Sequence, residues 1–167
     1  MDDPRSASLA SSARAAGSTR RSMDRFMRIA LVFMAVSSLV VGVWAGLFPH
    51  SFYESFPGLG RHWVRVDGPY NQHLVRDVGS LNLALGLLAA VAAWHLTTVM
   101  VRTAAVALFV NALPHFLYHL THLTPYGSSD KIANVATLGL GVVLPACVAL
   151  ASWFPPDGTA RSARPGR

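Results

Sequence analysis

Three histidines and an asparagine interrupt the apolar stretch NALPHFLYHLTH, which covers residues 111–122. At about 100° per residue of α-helix, the four side chains fall within roughly 80° of arc and form one stripe: Asn111, His115, His119 and His122. Imidazoles at this spacing can ligate a metal ion, hydrogen-bond to a ligand, or exchange protons near neutral pH. The stripe is therefore the first candidate for chemistry in this sequence.

A second polar group precedes another apolar run, in the stretch PYNQHLVRDVGSLN. His73 and Asp77 are four residues apart, Arg76 lies beside them, and Asn82 follows about a turn and a half later. A charged side chain at membrane depth is costly unless it faces a partner or a wet cavity. We therefore expect Asp77 to pair with Arg76 or with one of the histidines.

Three interpretations of these polar groups are open from the sequence alone. In the first, the histidines are a hydrogen-bonded seam between packed helices. In the second, they bind a transition metal such as zinc, iron or copper, with the candidate ligands His115, His119, His122 and His73. In the third, they bind a lipid-soluble or redox molecule such as a quinone, with the candidate residues Arg76, Asp77, Asn82, Asn111, His115 and His119. Whether the chain is an enzyme stays open.

The composition predicts that these groups are carried by membrane-spanning helices. The chain has 167 residues, of which 52% are hydrophobic and 13% charged, against about 25% charged in soluble proteins. A membrane-spanning helix needs roughly 20 predominantly apolar residues, and four runs qualify, at about 27–49, 72–96, 101–122 and 131–154. The predicted fold is all-α: an integral membrane four-helix bundle, residues 23–155, with an interfacial outer loop between its first two helices.

The basic residues predict the orientation of this bundle. Ten arginines lie in the two tails and the turn between helices 2 and 3, against three arginines and one lysine on the opposite side. By the positive-inside rule, we expect a multi-pass plasma-membrane protein whose N- and C-termini are cytoplasmic and whose polar groups lie at the outer ends of the helices. Residues 1–22 and 156–167 are predicted to be disordered tails, and either Met1 or Met23 could be the true start.

The segment between the first two predicted helices is unusually aromatic. It reads SFYESFPGLGRHWVRVDGPYNQH from residue 51, and it is predicted to be either an interfacial aromatic belt or a lid over the polar groups. In the lid interpretation, its glycines and prolines supply the bends. Arg61, His62 and Arg65 would then face acidic headgroups or an anionic ligand.

Charge and cysteine content narrow the classes of partner. The net charge is +6, but the basic residues flank apolar runs and no nucleic-acid recognition module is present, so we expect no nucleic-acid partner. A single cysteine, Cys147, excludes an intrachain disulfide. The expected partners are membrane lipids and a lipid-soluble small molecule, and a second copy of the chain or a redox partner stays open.

The stretch HLVRDVGSLNLALGLLAA resembles the DoxX-like group of small four-helix membrane proteins. The likeness is carried by Arg76, Gly79 and Gly86, together with the four-span layout from about residue 27 to residue 154. It implies a compact four-helix bundle whose relatives include the membrane subunit of a thiosulfate and quinone oxidoreductase. The histidine stripe has no counterpart in that pattern, so no catalytic residue is carried over. The expected function is ligand binding in the membrane, as an accessory subunit for example; the alternatives are a metal-dependent membrane oxidoreductase and a structural or interaction protein.

Overall fold

The described part of the chain contains five helices. The computed structural model describes the backbone of residues 4–153 and the side chains of residues 14–153. The helices are α1 (Pro4–Leu47), α2 (Pro49–Ser55), α3 (Gln72–His95), α4 (Thr98–Thr121) and α5 (Ser128–Trp153). All but the short α2 are long and apolar enough to cross a membrane. The predicted all-α fold with four membrane-spanning helices is confirmed, and the protein is membrane-embedded.

The four long helices pack in a ring. α1 packs on α3, α3 on α4, α4 on α5, and α5 contacts α1. A tight turn joins α3 to α4, with Leu96 in the left-handed conformation and the Thr97 hydroxyl accepting from the backbone N–H of Met100. We call this side of the bundle the turn end, and the opposite side, which carries α2 and residues 56–71 and 122–127, the loop end.

A close approach of backbones joins α1 to α3. A methyl group added to Gly79 would lie 2.7 Å from the Cα of Gly46, and one added to Gly42 would lie 2.7 Å from the backbone nitrogen of Leu83. Small residues allow such contact between membrane helices, where dispersion forces depend on close packing. The glycines therefore fix the depth of α3 relative to α1.

The helix α1 begins earlier than the sequence analysis predicted. Residues 1–22 were expected to be disordered, but α1 runs without a break from Pro4. Alanine and arginine are among the best helix formers, and the adjoining span supplies the nucleus from which such a segment propagates. The predicted disordered tail at 156–167 lies outside the described residues.

The aromatic residues of the loop end form a second core. Phe52 and Trp63 are buried, and Trp44 meets Phe52 edge to face with ring centroids 5.8 Å apart. Phe56 lies 4.7 Å from Phe52. Phe52 and Trp63 are therefore covered by their own chain, and the interfacial position of this loop stays a prediction.

Candidate functional site

The seam between α3 and α4 is closed near the turn end and opens toward the loop end. Leu85 on α3 and Leu108 on α4 are buried in one core. The residues seven positions further toward the loop end, Val78 and His115, lie on the same helix faces but are exposed. The α3–α4 seam is therefore accessible from outside the bundle beyond Leu85 and Leu108, and we call this accessible part of the seam the crevice.

Two of the predicted histidines meet at the crevice. The rings of His115 and His119 lie edge to face with centroids 4.8 Å apart. The His119 Nδ1 atom is buried and has no hydrogen-bond partner among the described residues. Buried polar groups are almost always hydrogen-bonded, so this nitrogen lacks a partner that such a group normally has.

Asn134 on α5 is a second buried group of the same kind, and it was not a predicted site residue. Asn134 is 2% exposed, and its Oδ1 atom has no hydrogen-bond partner in the described part of the chain. Gly139 packs against the ring of Phe116, and α4 and α5 are antiparallel. Asn134 consequently lies at the depth of Thr121, within about one helical turn of His119. An amide in the apolar face that continues to Val148 was the sequence signal that could have identified it.

The asparagines predicted from the sequence flank the crevice. Asn82 and Asn111 are both half-buried. Each is three residues from the buried leucine of its own helix, Leu85 or Leu108, and lies about 60° from it around the helix axis. The Nδ2 group of Asn82 donates to the carbonyl of Val78 at 2.9 Å.

Residues 56–71, which we call the roof loop, are attached across the loop end. Arg61 and Trp63 both donate to Oδ1 of Asp130, the indole nitrogen at 2.9 Å. The hydroxyl of Tyr126 donates to the carbonyl of Trp63 at 3.0 Å. The roof loop is therefore tied to the start of α5 and to the loop before it.

These contacts change the assignment of the basic residues in the roof loop. Arg61 was predicted to face headgroups or a ligand, but it pairs with Asp130. Arg65 pairs with Glu54 at 2.8 Å, and the Nδ1 atom of His62 lies 2.5 Å from the carbonyl oxygen of Glu54. The carboxylates of Asp130 and Glu54 therefore neutralise Arg61 and Arg65 within the chain.

The phenol of Tyr126 is buried and lies near a carboxylate. The side chain is 5% exposed. Burial, and after it the nearby carboxylate of Asp67, raise the pKa of Tyr126 to about 12. The phenol therefore stays protonated and keeps donating to the roof loop.

Three predicted site residues lie away from the crevice. The Nε2 atom of His73 is 3.4 Å from Oδ2 of Asp77, and both side chains are exposed. Arg76 is also exposed, and at about 100° per residue it lies on the side of α3 opposite Leu85. Their angle on α3 directs these residues away from the crevice, and a shared depth with His115 stays a prediction.

The predicted metal ligands are only partly brought together. The ring of His122 stacks on Tyr118 with centroids 4.1 Å apart, and its Nδ1 atom is 2.8 Å from the carbonyl of Tyr118. Within residues 14–153, no group of three or more His, Cys, Asp or Glu side chains is placed to hold a metal ion. His115 and His119 thus meet each other, whereas His122 and His73 do not complete a ligand set with them.

Comparison with known sequences identifies one matching protein family. The sequence model described as "Domain of unknown function (DUF4345)" matches residues 26–125. The match includes the roof loop and the histidine stripe, and α5 with Asn134 and Asp130 follows it. The resemblance to DoxX-like proteins stays a prediction.

No curated protein matches the chain, and no solved structure matches it. The family match nevertheless covers more than half of the 167 residues. It runs from the start of the apolar part of α1 to the loop that follows α4. The chain therefore belongs to the family described as Domain of unknown function (DUF4345).

Proposed function

We propose that this protein binds a lipid-soluble ligand of the quinone class in the crevice between α3 and α4. The observation that carries the proposal is the pair of buried, unpartnered polar atoms at one depth, Nδ1 of His119 and Oδ1 of Asn134. Leaving such atoms unsatisfied costs about 1–3 kcal/mol each. A ligand that bonds to both recovers this free energy.

The chemistry of the two atoms specifies the ligand. A neutral imidazole donates from one nitrogen and accepts at the other, whereas the Oδ1 atom of asparagine only accepts. A quinone carbonyl accepts from His119, and the hydroxyl of the reduced form donates to Asn134. The ligand class therefore combines a ring bearing carbonyl or hydroxyl groups with a hydrophobic body.

The walls of the crevice supply the apolar part of the site. Val78 and Leu81 on α3 are exposed at the position where the seam opens. In a membrane-embedded protein, exposed side chains of this kind face lipid, so a hydrophobic molecule reaches the histidines sideways from the bilayer. This route favours a lipid-soluble ligand over a water-soluble one.

The other two interpretations receive less support from the geometry. A zinc site in a protein uses three or four side-chain ligands, and the crevice brings together two imidazoles, those of His115 and His119. A seam that serves packing alone would satisfy its buried polar atoms internally, and His119 and Asn134 do not. An organic ligand fits both observations.

The orientation belongs to the same proposal: the loop end faces outward across the plasma membrane. Arg102 at the start of α4 donates to the carbonyl of Ser152 near the end of α5, so the α3–α4 turn and the end of α5 share the turn end. This end carries the excess of arginine, which favours the cytoplasm. A reporter that is active only in the periplasm, fused after Arg167, should be silent, and a strong signal would reverse the orientation.

Quinone binding is tested by titrating the purified full chain in detergent with decylubiquinone and following tryptophan fluorescence. The wild type should show saturable quenching. His119→Ala should weaken binding of decylubiquinone, and Asn134→Leu should weaken binding of its reduced form, decylubiquinol, each by about tenfold, the factor expected for one lost hydrogen bond. His73→Ala is the matched control, because it removes an exposed imidazole from the same end of the molecule.

Two results would contradict the proposal. One is the absence of saturable quenching in the folded wild type. The other is a Kd equal to that of the wild type, for decylubiquinone in His119→Ala and for decylubiquinol in Asn134→Leu. His119→Asn, which keeps a polar side chain, shows whether a loss in His119→Ala reflects ligand contact or unfolding, and thermal unfolding of each variant is measured alongside.

A further inference from the structure

Four arginines form a stripe along the part of α1 that extends beyond the bundle. At about 100° per residue, they fall within roughly 60° of arc: Arg14, Arg21, Arg25 and Arg28. All four are exposed, and from residue 14 onward the first buried residues of α1 are Ala30 and Leu31. The stripe therefore lies on a helix that leaves the turn end of the bundle.

The length of α1 places most of the stripe outside the membrane. Residues 27–47 span about 31 Å at 1.5 Å per residue, which matches a hydrocarbon core of about 30 Å. The helix can cross the bilayer upright, and Arg14 then stands about 21 Å beyond Arg28. This distance exceeds the headgroup layer of roughly 6 Å and the Debye length of about 8 Å. Membrane lipid can neutralise Arg25 and Arg28, but it does not reach Arg14.

The charge on the stripe is not balanced within α1. Arg21 and Arg25 are four residues apart and Arg25 and Arg28 are three apart, spacings at which like charges repel. The acidic residue nearby, Asp24, lies three residues after Arg21 and four before Arg28. At these spacings it offsets part of the repulsion, and a net positive charge remains on the stripe. An anionic surface that runs along the helix would relieve this repulsion.

We propose that the stripe is a docking surface for an acidic helical segment of a partner protein that lies alongside α1. The stripe extends over about four helical turns, so carboxylates repeated every three or four residues on a partner helix can face it. Arginine binds carboxylates through two parallel N–H groups. An upright stripe is accessible from the side, which suits a helix better than a flat lipid surface.

The test uses the full chain in nanodiscs of neutral phosphatidylcholine and two labelled peptides. One alanine-based peptide carries glutamates on one helical face at three- and four-residue spacing, and its isomer distributes the same glutamates around the helix. Fluorescence anisotropy at low ionic strength should show tighter binding of the one-faced peptide. The double variant Arg14→Ala/Arg21→Ala should weaken this binding about fivefold, the combined effect of two exposed ion pairs.

The control for net charge is Arg20→Ala, because Arg20 is exposed and lies about 100° from Arg21 around α1. It should change the Kd by less than about twofold. Equal binding of the two peptides, or equal losses in the control and the double variant, would overturn the proposal.

Binding that needs anionic lipid and is unchanged in the double variant would assign the stripe to the membrane instead. Stronger binding of a single-stranded DNA of the same charge would assign it to nucleic acid, and circular dichroism verifies that each variant keeps its helices.

Discussion

The indole nitrogen of Trp63 donates to Oδ1 of Asp130 at 2.9 Å, which joins the roof loop to the first turn of α5. Arg61 donates to the same oxygen, and Tyr126 donates to the carbonyl of Trp63. One carboxylate and one phenol therefore hold a loop that is more than 50 residues away in sequence. These few hydrogen bonds attach the roof loop to the loop end of the bundle.

Removing the carboxylate should loosen the roof loop. Asp130→Ala breaks the bonds from Arg61 and Trp63, and we expect a modest loss in the free energy of unfolding, because the ion pair is partly exposed and screened by solvent. Hydrogen exchange of residues 56–71 should accelerate. Glu54→Ala, which breaks the exposed pair with Arg65, should have a smaller effect. Wild-type exchange of the roof loop in Asp130→Ala would show that the bonds do not hold it.

The glycine contact between α1 and α3 should tolerate no side chain. A methyl group at Gly79 would lie 2.7 Å from the Cα of Gly46, so the helices must separate, at a cost of about 1–3 kcal/mol or more. Gly141→Ala is the matched control, because a methyl group there meets nothing within 4 Å. Thermal unfolding in detergent should show a lower midpoint for Gly79→Ala and no loss for Gly141→Ala. Equal midpoints would mean that α1 and α3 are not packed as described.

The spans could be predicted from the sequence because they depend on local properties. An uncharged run of sufficient length specifies a membrane helix, and the predicted span at 72–96 differs from α3 (Gln72–His95) by a single residue. Residues 4–22 were misassigned, since a polar, alanine-rich and arginine-rich segment has the composition of a tail as well as of an exposed helix. Attachment to a stable span favours the helix.

The partners of the site residues could not be predicted in the same way. Helical periodicity specifies which side chains share a face, and on that basis His115 and His119 were correctly expected to meet. It does not specify how neighbouring helices are rotated. The pairing of Arg61 with Asp130 and the burial of Asn134 depend on that rotation and on the path of the roof loop, so both appear only in the folded structure.

Arg102 should stabilise the end of α5 at the turn end. Its Nη2 group donates to the carbonyl of Ser152 at 2.7 Å, and its guanidinium lies 5.1 Å from the centre of the Trp153 ring. A helix leaves its last carbonyls without partners, and a cation near them is favourable. Arg102→Ala should lower the free energy of unfolding by about 1–3 kcal/mol and accelerate hydrogen exchange in the last turn of α5. Arg102→Lys, which keeps the charge, should recover part of the loss; exchange unchanged in both variants would exclude this role.

Alkaline pH should weaken the attachment of the roof loop through Tyr126. Burial first, and then the carboxylate of Asp67, raise the pKa of this phenol from 10.0 to about 12 in the folded protein. A raised folded-state pKa stabilises the protonated form, so its contribution is complete below about pH 10 and is lost as the pH rises through about 12. Tyr126→Phe removes this dependence together with the hydrogen bond to Trp63, which contributes about 1 kcal/mol.

The measurement is the unfolding midpoint in detergent between about pH 8 and about pH 12. Tyr126→Phe should be less stable than the wild type at the lower limit, and the difference should shrink as the pH rises. Tyr53→Phe is the control, because it removes another phenol-to-carbonyl bond, to Gly68 at 2.8 Å, while Tyr126 is retained. That variant should keep the alkaline loss of stability. If Tyr126→Phe shows the same alkaline decline as the wild type, the titrating group lies elsewhere and the phenol of Tyr126 does not control the roof loop.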